Sequence, residues 1–168
     1  MGCILPSQLD RVDTKILELV QEDAALSVAD IAEKVGLSSS PCWRRIKRME
    51  EQGIIKKRVT LLDRKKLGLD FEVVVSVKLG LPNRDNLTAF EAMVQDWHEV
   101  TECMTVTGAV DYVMHVVTTD MHAYDDFLRD KLLGSSLVSD AQSRIVVRVA
   151  KRSTSLPLNL LSVLPADD

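Results

Sequence analysis

Apolar residues fall at helical spacing through the first third of the chain. In residues 8–21 (QLDRVDTKILELVQ), Leu9, Val12, Ile16, Leu19 and Val20 lie three or four apart and line one stripe of a helix. Ser7 with Asp10 is the capping pair expected at its start. Residues 27–36 (SVADIAEKVG) repeat the design. Ser27 and Asp30 cap, Val28, Ile31, Ala32 and Val35 form the stripe, and Gly36 can end it. The short turn GLSSSP leads into a third helix that runs to about Gln52. Pro41 is tolerated in its first turn because N–H groups there have no intrahelical partner. Gly53 supplies the exit, and IIKKRVTLLD, rich in β-branched and apolar residues, reads as a short wing or strand. Three helices with a tight turn before the third, then a strand, make the winged helix-turn-helix pattern.

From about residue 70 the period changes to two. FEVVVSVKL places Phe71, Val73, Val75, Val77 and Leu79 on one face of a strand. After the loop LPNRDN, residues 86–97 form an amphipathic helix through Leu87, Phe90, Val94 and Trp97. Residues 100–107 and 111–118 read as strands joined by Gly108, Ala109 and Val110. Residues 121–134 read as a helix with Met121, Tyr124, Leu128 and Leu132 on one side, and 140–150 as a last strand. The order β-α-β-β-α-β is the ferredoxin-like arrangement, so the fold class is α+β. The boundaries predicted are 1–62 for the winged helix-turn-helix, 63–158 for the ferredoxin-like domain and 159–168 for a tail, with the hand-over near LLDRKKLGLD. No internal repeat or low-complexity tract is visible.

Charge sharpens this division. The chain carries 21 Lys and Arg against 25 Asp and Glu, a net −4. Residues 44–66 nevertheless hold ten cations and three acids, whereas residues 67–168 hold eight and fifteen. A basic reading head on an acidic body is the reading this asymmetry supports, against the plainer one of a solvated charged face. No apolar run reaches the roughly 18 residues of a membrane helix. The start MGCILPSQLDRVD has no basic lead and too short an apolar run for a signal peptide. MGCILP is similar to a myristoylation start, but Pro6 stands where that motif needs Ser or Thr. Cys3, Cys42 and Cys103 are odd in number and widely spaced, as expected of reduced thiols in a cytoplasm.

The candidate chemistry concentrates on the third helix. At about 100° per residue, Cys42, Ile46 and Met49 turn inward. Ser40, Arg44, Lys47 and Arg48 are left on the opposite face, the form a DNA major groove accepts. Arginine can fork onto a guanine edge, while lysine and serine hold phosphate. Ser38, Ser39 and Arg45 complete the candidate contacts on this helix, and Lys56, Lys57 and Arg58 would trail along the backbone. Arg64, Lys65 and Lys66 fit either that role or a solvated linker. Trp43 sits between the two faces. Stacking or groove contact competes there with packing against a neighbouring helix or a partner chain, and packing is favoured. Cys42 reads as a small buried apolar residue.

These residues resemble the leucine-responsive/asparagine-sensing (Lrp/AsnC, or feast/famine) transcription regulators, over roughly 9–158. LDRVDTKILELVQED is similar to that family's opening helix, and IAEKVGLSSSPCWRRIKRMEEQGII to its helix-turn-helix signature. VTGAVDYVMHV carries the Gly-x-x-Asp-Tyr turn as Gly108, Asp111 and Tyr112, and KRSTSLPL resembles the closing segment. Two departures stand out: KKR after the third helix, where the family often has an aromatic, and the longer tail NLLSVLPADD. The resemblance implies double-stranded DNA as partner and a ferredoxin-like domain that binds a small amino acid. It also implies homodimers, often four to a ring, and no cofactor. Effector contacts carried over are Met104, Thr105, Val106, Thr107, Gly108 and Asp111, with Val138 and Ser139 as neighbours. A tight turn can present N–H groups to a carboxylate, and Asp111 can pair with an ammonium. By residue type alone, Gly108 and Asp111 are also what a plain hairpin turn uses.

Two rival classes remain at this stage. A small enzyme is one, but His98, His115 and His122 lie in no ligand-spaced motif, and there is no phosphate loop or nucleophile signature. If Thr107 pairs with Asp111, Cys103 falls opposite His115, two ligands where a stable metal site wants three or four. An amino-acid-binding ferredoxin-like module with no DNA role is the other, and it leaves the basic helix unexplained. The expectation is a regulator, not an enzyme.

Overall fold

The computed structural model describes residues 9–161. Contacts divide the chain into two units, one of residues up to Leu61 together with those from Lys151, the other Leu62–Ala150.

The first unit is helical: α1 (Arg11–Glu22), α2 (Val28–Val35) and α3 (Ser39–Glu51). Ile16, Ile31, Ala32, Cys42, Ile46 and Met49 are buried together, with Leu9 and Val20 closing the cluster. The capping box of α1 is formed by Asp10 and Asp13; Ser7, expected to cap, lies outside the described residues. Ser27 and Asp30 cap α2 as expected, and Gly36 ends it at φ 73°, where only glycine is comfortable. Residues 54–63 form no strand. A strand needs a ladder partner, and the described part of this unit offers none; the wing is irregular. The closing segment returns to α1. The Gln21 side-chain amide donates to the Leu156 carbonyl at 3.2 Å and accepts from the Leu156 N–H at 3.0 Å. Residues 151–161 thus group with the helices, whereas the sequence boundary carried the second domain on to 158.

The second unit is a four-stranded antiparallel sheet in the order β2-β3-β1-β4. Its elements are β1 (Phe71–Leu79), α4 (Arg84–Gln95), β2 (Val100–Thr105), β3 (Tyr112–Thr118), α5 (Met121–Asp126) and β4 (Val138–Ile145). Val73, Val75, Val77 and Leu79 of β1 are buried with Tyr112, Met114 and Val116 of β3, under Phe90, Val94, Trp97, Tyr124, Phe127 and Leu132.

Three expectations need correction. α5 does not run on as an α-helix: Phe127–Leu132 is a π-helical turn. Its wider turn buries Phe127 and Leu132, five apart, while Met121 is exposed. β4 begins at Val138 and ends at Ile145, with Val147 almost fully exposed. The β2–β3 register also differs. Cys103 lies opposite Met114, and Glu102 opposite His115. Val106 rather than Thr107 meets Asp111, its N–H donating to the Asp111 carbonyl, while the Asp111 N–H donates to Val77 of β1. A slip of one residue moves a side chain to the other face. Cys103 therefore packs toward the core, where burial first and Glu91 second push its thiol up to about 11. His115 meets Glu72 instead, at 3.5 Å.

Candidate functional site

α3 presents three kinds of surface. Cys42, Ile46 and Met49 are buried against α1 and α2, as the periodicity requires. Burial raises the Cys42 thiol above its ordinary value, consistent with an apolar packing role.

One flank is tied down. The Asp13 carboxylate, 1% exposed, accepts from Arg45 at 2.9 Å and from Arg48 at 2.6 Å, and Arg45 also reaches Asp10 at 2.6 Å. Two guanidinium groups thus lock α3 onto the capping box of α1. Burial disfavours the ionised Asp10, but the Asp13 N–H and Arg45 outweigh it and hold this carboxyl below the usual carboxylate range. Burial likewise works against the Arg45 charge, and the two carboxylates reverse the effect and raise its pKa. Arg45 and Arg48, both candidate DNA contacts, therefore have structural partners. Sequence spacing could not reveal this, because Asp13 lies 32 and 35 residues away from them.

The third surface is open. Ser38, Ser39, Ser40, Trp43, Arg44 and Lys47 are exposed. Arg44, Lys56 and Lys57 form no ion pair among the described residues, and Lys47 and Arg58 make only long contacts with Glu50, at 3.8 and 3.7 Å. Ser38 is the N-cap of α3, but its side chain makes no capping bond, and no acid lies in the first turn. This sets α3 apart from α1 and α2, whose N-termini are closed by carboxylates. The partial positive charge of a helix N-terminus is left without an acid in the first turn here, near Arg44, which forms no ion pair among the described residues. Trp43, expected to pack against a neighbouring helix or a partner chain, is 54% exposed within this chain. Arg64, Lys65 and Lys66 are paired with Glu72, Asp70 and Asp63.

The second candidate site lies at the C-terminal end of β1. Gly108 holds the β2–β3 turn at φ 126°. Asp111 accepts from the Leu79 N–H at 2.8 Å, while its own N–H donates to Val77 and its carbonyl accepts from Val106. Tyr112 donates to a Glu91 carboxylate oxygen at 3.0 Å, fastening β3 to α4; burial and then Glu91 push its phenol up to about 12. From the other side, Val138 pairs with Leu79, and the Ser139 hydroxyl donates to Lys78 at 3.1 Å. Segments 104–111 and 138–139, about 30 residues apart, thus converge on one strand end. Met104, Thr105, Thr107, Gly108 and Ser139 are exposed there, and Val106, Asp111 and Val138 half-buried. Among the described residues no group of three or more His, Cys, Asp or Glu could hold a metal ion.

Comparison with known proteins matches both units. A profile described as winged helix-turn-helix DNA-binding covers residues 9–56, and one described as the Lrp/AsnC ligand binding domain covers 72–156. The chain belongs to the Lrp/AsnC family of transcription regulators. Among its relatives, the transcriptional regulator AzlB of Bacillus subtilis is 37% identical, over 90% of this chain and 96% of its own length. Two solved structures resemble it closely. An AsnC family transcriptional regulator from Agrobacterium tumefaciens is 42% identical with a TM-score of 0.86, over 90% of this chain and 98% of its own. A transcriptional regulator from Neisseria meningitidis, solved in complex with L-Met, is 39% identical with a TM-score of 0.87, over 90% and 97%. This Lrp/AsnC protein is a DNA-binding transcription regulator controlled through a ligand-binding domain. No helix among its described residues is long and apolar enough to cross a membrane.

Proposed function

We propose that α3 reads double-stranded DNA through Arg44, Lys47 and the uncapped serine turn Ser38–Ser40, and that a small amino acid sets the affinity or the assembly of the regulator. The observation that carries the first part is the division of cations on α3. Arg45 and Arg48 are spent on Asp13, and Arg44 and Lys47 are not. Arg44 contacts a base edge, Lys47 and the serines hold phosphate, and Lys56, Lys57 and Arg58 follow the backbone. Homodimers, singly or as four in a ring, would place two such helices in successive major grooves about 34 Å apart. The protein works in the cytoplasm, and no catalytic step is assigned to it.

The effector pocket is built on the turn Met104–Gly108 with Asp111, Val138 and Ser139. Backbone N–H groups of the turn meet the effector carboxylate, and the free side of the Asp111 carboxylate meets its ammonium. The L-Met complex of the Neisseria relative supports an amino acid as the effector class. Coupling follows from linkage: the effector acts only by binding the DNA-competent and incompetent assemblies unequally.

The test combines a salt titration of operator binding with a thermal-shift screen of the twenty amino acids. Affinity should fall steeply with salt as bound cations release counterions, and Lys57→Ala should reduce the slope by about one while weakening all DNA alike. At least one amino acid should raise the melting temperature and change operator affinity. Binding indifferent to salt, or no amino acid altering either readout, would overturn the corresponding half of the proposal.

A further inference from the structure

Trp43 is the largest apolar side chain left open on α3. The chain has two tryptophans. Trp97 is 8% exposed, edge-on to Phe90 and Phe127. Trp43 is 54% exposed and stacks on no other ring among the described residues. By helical geometry it points roughly 90° away from the buried stripe, on the flank opposite Arg45 and Arg48. Ser39 and Ser40 lie one turn before it and Lys47 one turn after. Arg44, its neighbour, occupies the centre of the open face. The indole therefore lies among Ser39, Ser40, Arg44 and Lys47, on a flank that also carries Glu50, whose carboxylate makes only a long contact with Lys47, at 3.8 Å. A base edge in the major groove offers a single apolar group, the C5 methyl of thymine.

We propose that Trp43 is a specificity residue: its ring packs on a thymine methyl in the base pair beside the one that Arg44 contacts. This rests on the reading of α3 as the groove helix, and it adds a second base preference to the guanine expected of Arg44.

The test uses the full-length protein and an operator selected from random duplexes. Each thymine is replaced in turn by deoxyuridine, which lacks only the methyl. Wild-type protein should lose affinity about three- to fivefold at one position per half-site, the worth of one buried methyl group. Trp43→Ala should bind the intact operator weaker by a similar factor and show no loss at that position; Trp43→Phe should keep the discrimination. Operator DNA should also shield Trp43 from acrylamide quenching, read as the difference between wild type and Trp43→Phe. Undiminished discrimination by Trp43→Ala overturns the proposal, as does quenching unaffected by DNA. A smaller sedimenting species for Trp43→Ala without DNA would also overturn it, since the ring would then be a subunit contact. Arg44→Ala run in parallel separates the failures. If it relaxes base preference while Trp43→Ala does not, the groove helix stands and only the tryptophan contact falls.

Discussion

The open face of α3 and the turn at Gly108–Asp111 place fold and recognition in different relations. On α3 the two tasks fall on different side chains. Residues three and four apart share a face, so Arg45 and Arg48 reach Asp13 while Arg44 and Lys47 point away from it. In the turn, one side chain carries both. The Asp111 carboxylate closes the end of β1 through Leu79 and is also the group proposed to meet the effector. A helix offers several faces, whereas a six-residue connection between paired strands offers few side chains that can turn either way. Substitutions should therefore separate stability from recognition on α3, and only a near-isosteric change should do so at the turn.

The largest effect is expected at Asp13. Asp13→Ala leaves two guanidinium groups without their shared acceptor and should cost about 2 kcal/mol, in the range of hydrogen bonds to charged groups discounted for the partly exposed arginines. Urea unfolding followed by helical circular dichroism measures this, and an unchanged midpoint would remove the clamp from the account. The same cluster has a pH signature. Asp10 is held below its ordinary carboxylate value, so its contribution to stability is present above about pH 4 and lost as pH falls through the lower folded-state value. Asp10→Asn should flatten the acid limb of a stability–pH curve.

Arg44→Ala comes next and should leave the unfolding midpoint where it is. It should weaken operator binding by about 1–3 kcal/mol, the worth of a bidentate contact to a base, and relax base preference. Equal losses on operator and random duplex would reassign Arg44 to phosphate. The smallest and most diagnostic effect lies at Asp111. Asp111→Ala removes the acceptor for Leu79 and should cost about 1 kcal/mol of stability along with the effector response. Asp111→Asn keeps an acceptor oxygen without the charge and should lose the response alone. Calorimetry showing effector binding by Asp111→Asn equal to wild type would leave the carboxylate a purely structural role.

Much of the molecule was legible in local patterning. The stripe Cys42, Ile46 and Met49 and the alternation of Val73, Val75 and Val77 are consequences of helical and strand periodicity, and both stripes are buried. Gly36 and the Ser27–Asp30 box marked helix ends because caps act within four residues. What was misread depended on distant partners. IIKKRVTLLD has strand composition but no strand beside it. Residues 127–132 widened into a π turn, which buries Leu132 five residues after Phe127, while Met121 is exposed. The hairpin register differs by one residue, with Val106 rather than Thr107 meeting Asp111, which also bonds to β1, a strand more than 30 residues earlier.

Sequence alone determined the two-part organisation and which helix carries the cations, because these follow from short-range periodicity and the local density of charge, and its motifs carried the resemblance to the family. The tertiary structure alone decided which of those cations are free. Asp13 and the arginines it binds are remote in sequence and adjacent in space, and a guanidinium within hydrogen-bonding distance of a buried carboxylate is held there, whatever its position on a helical wheel suggests.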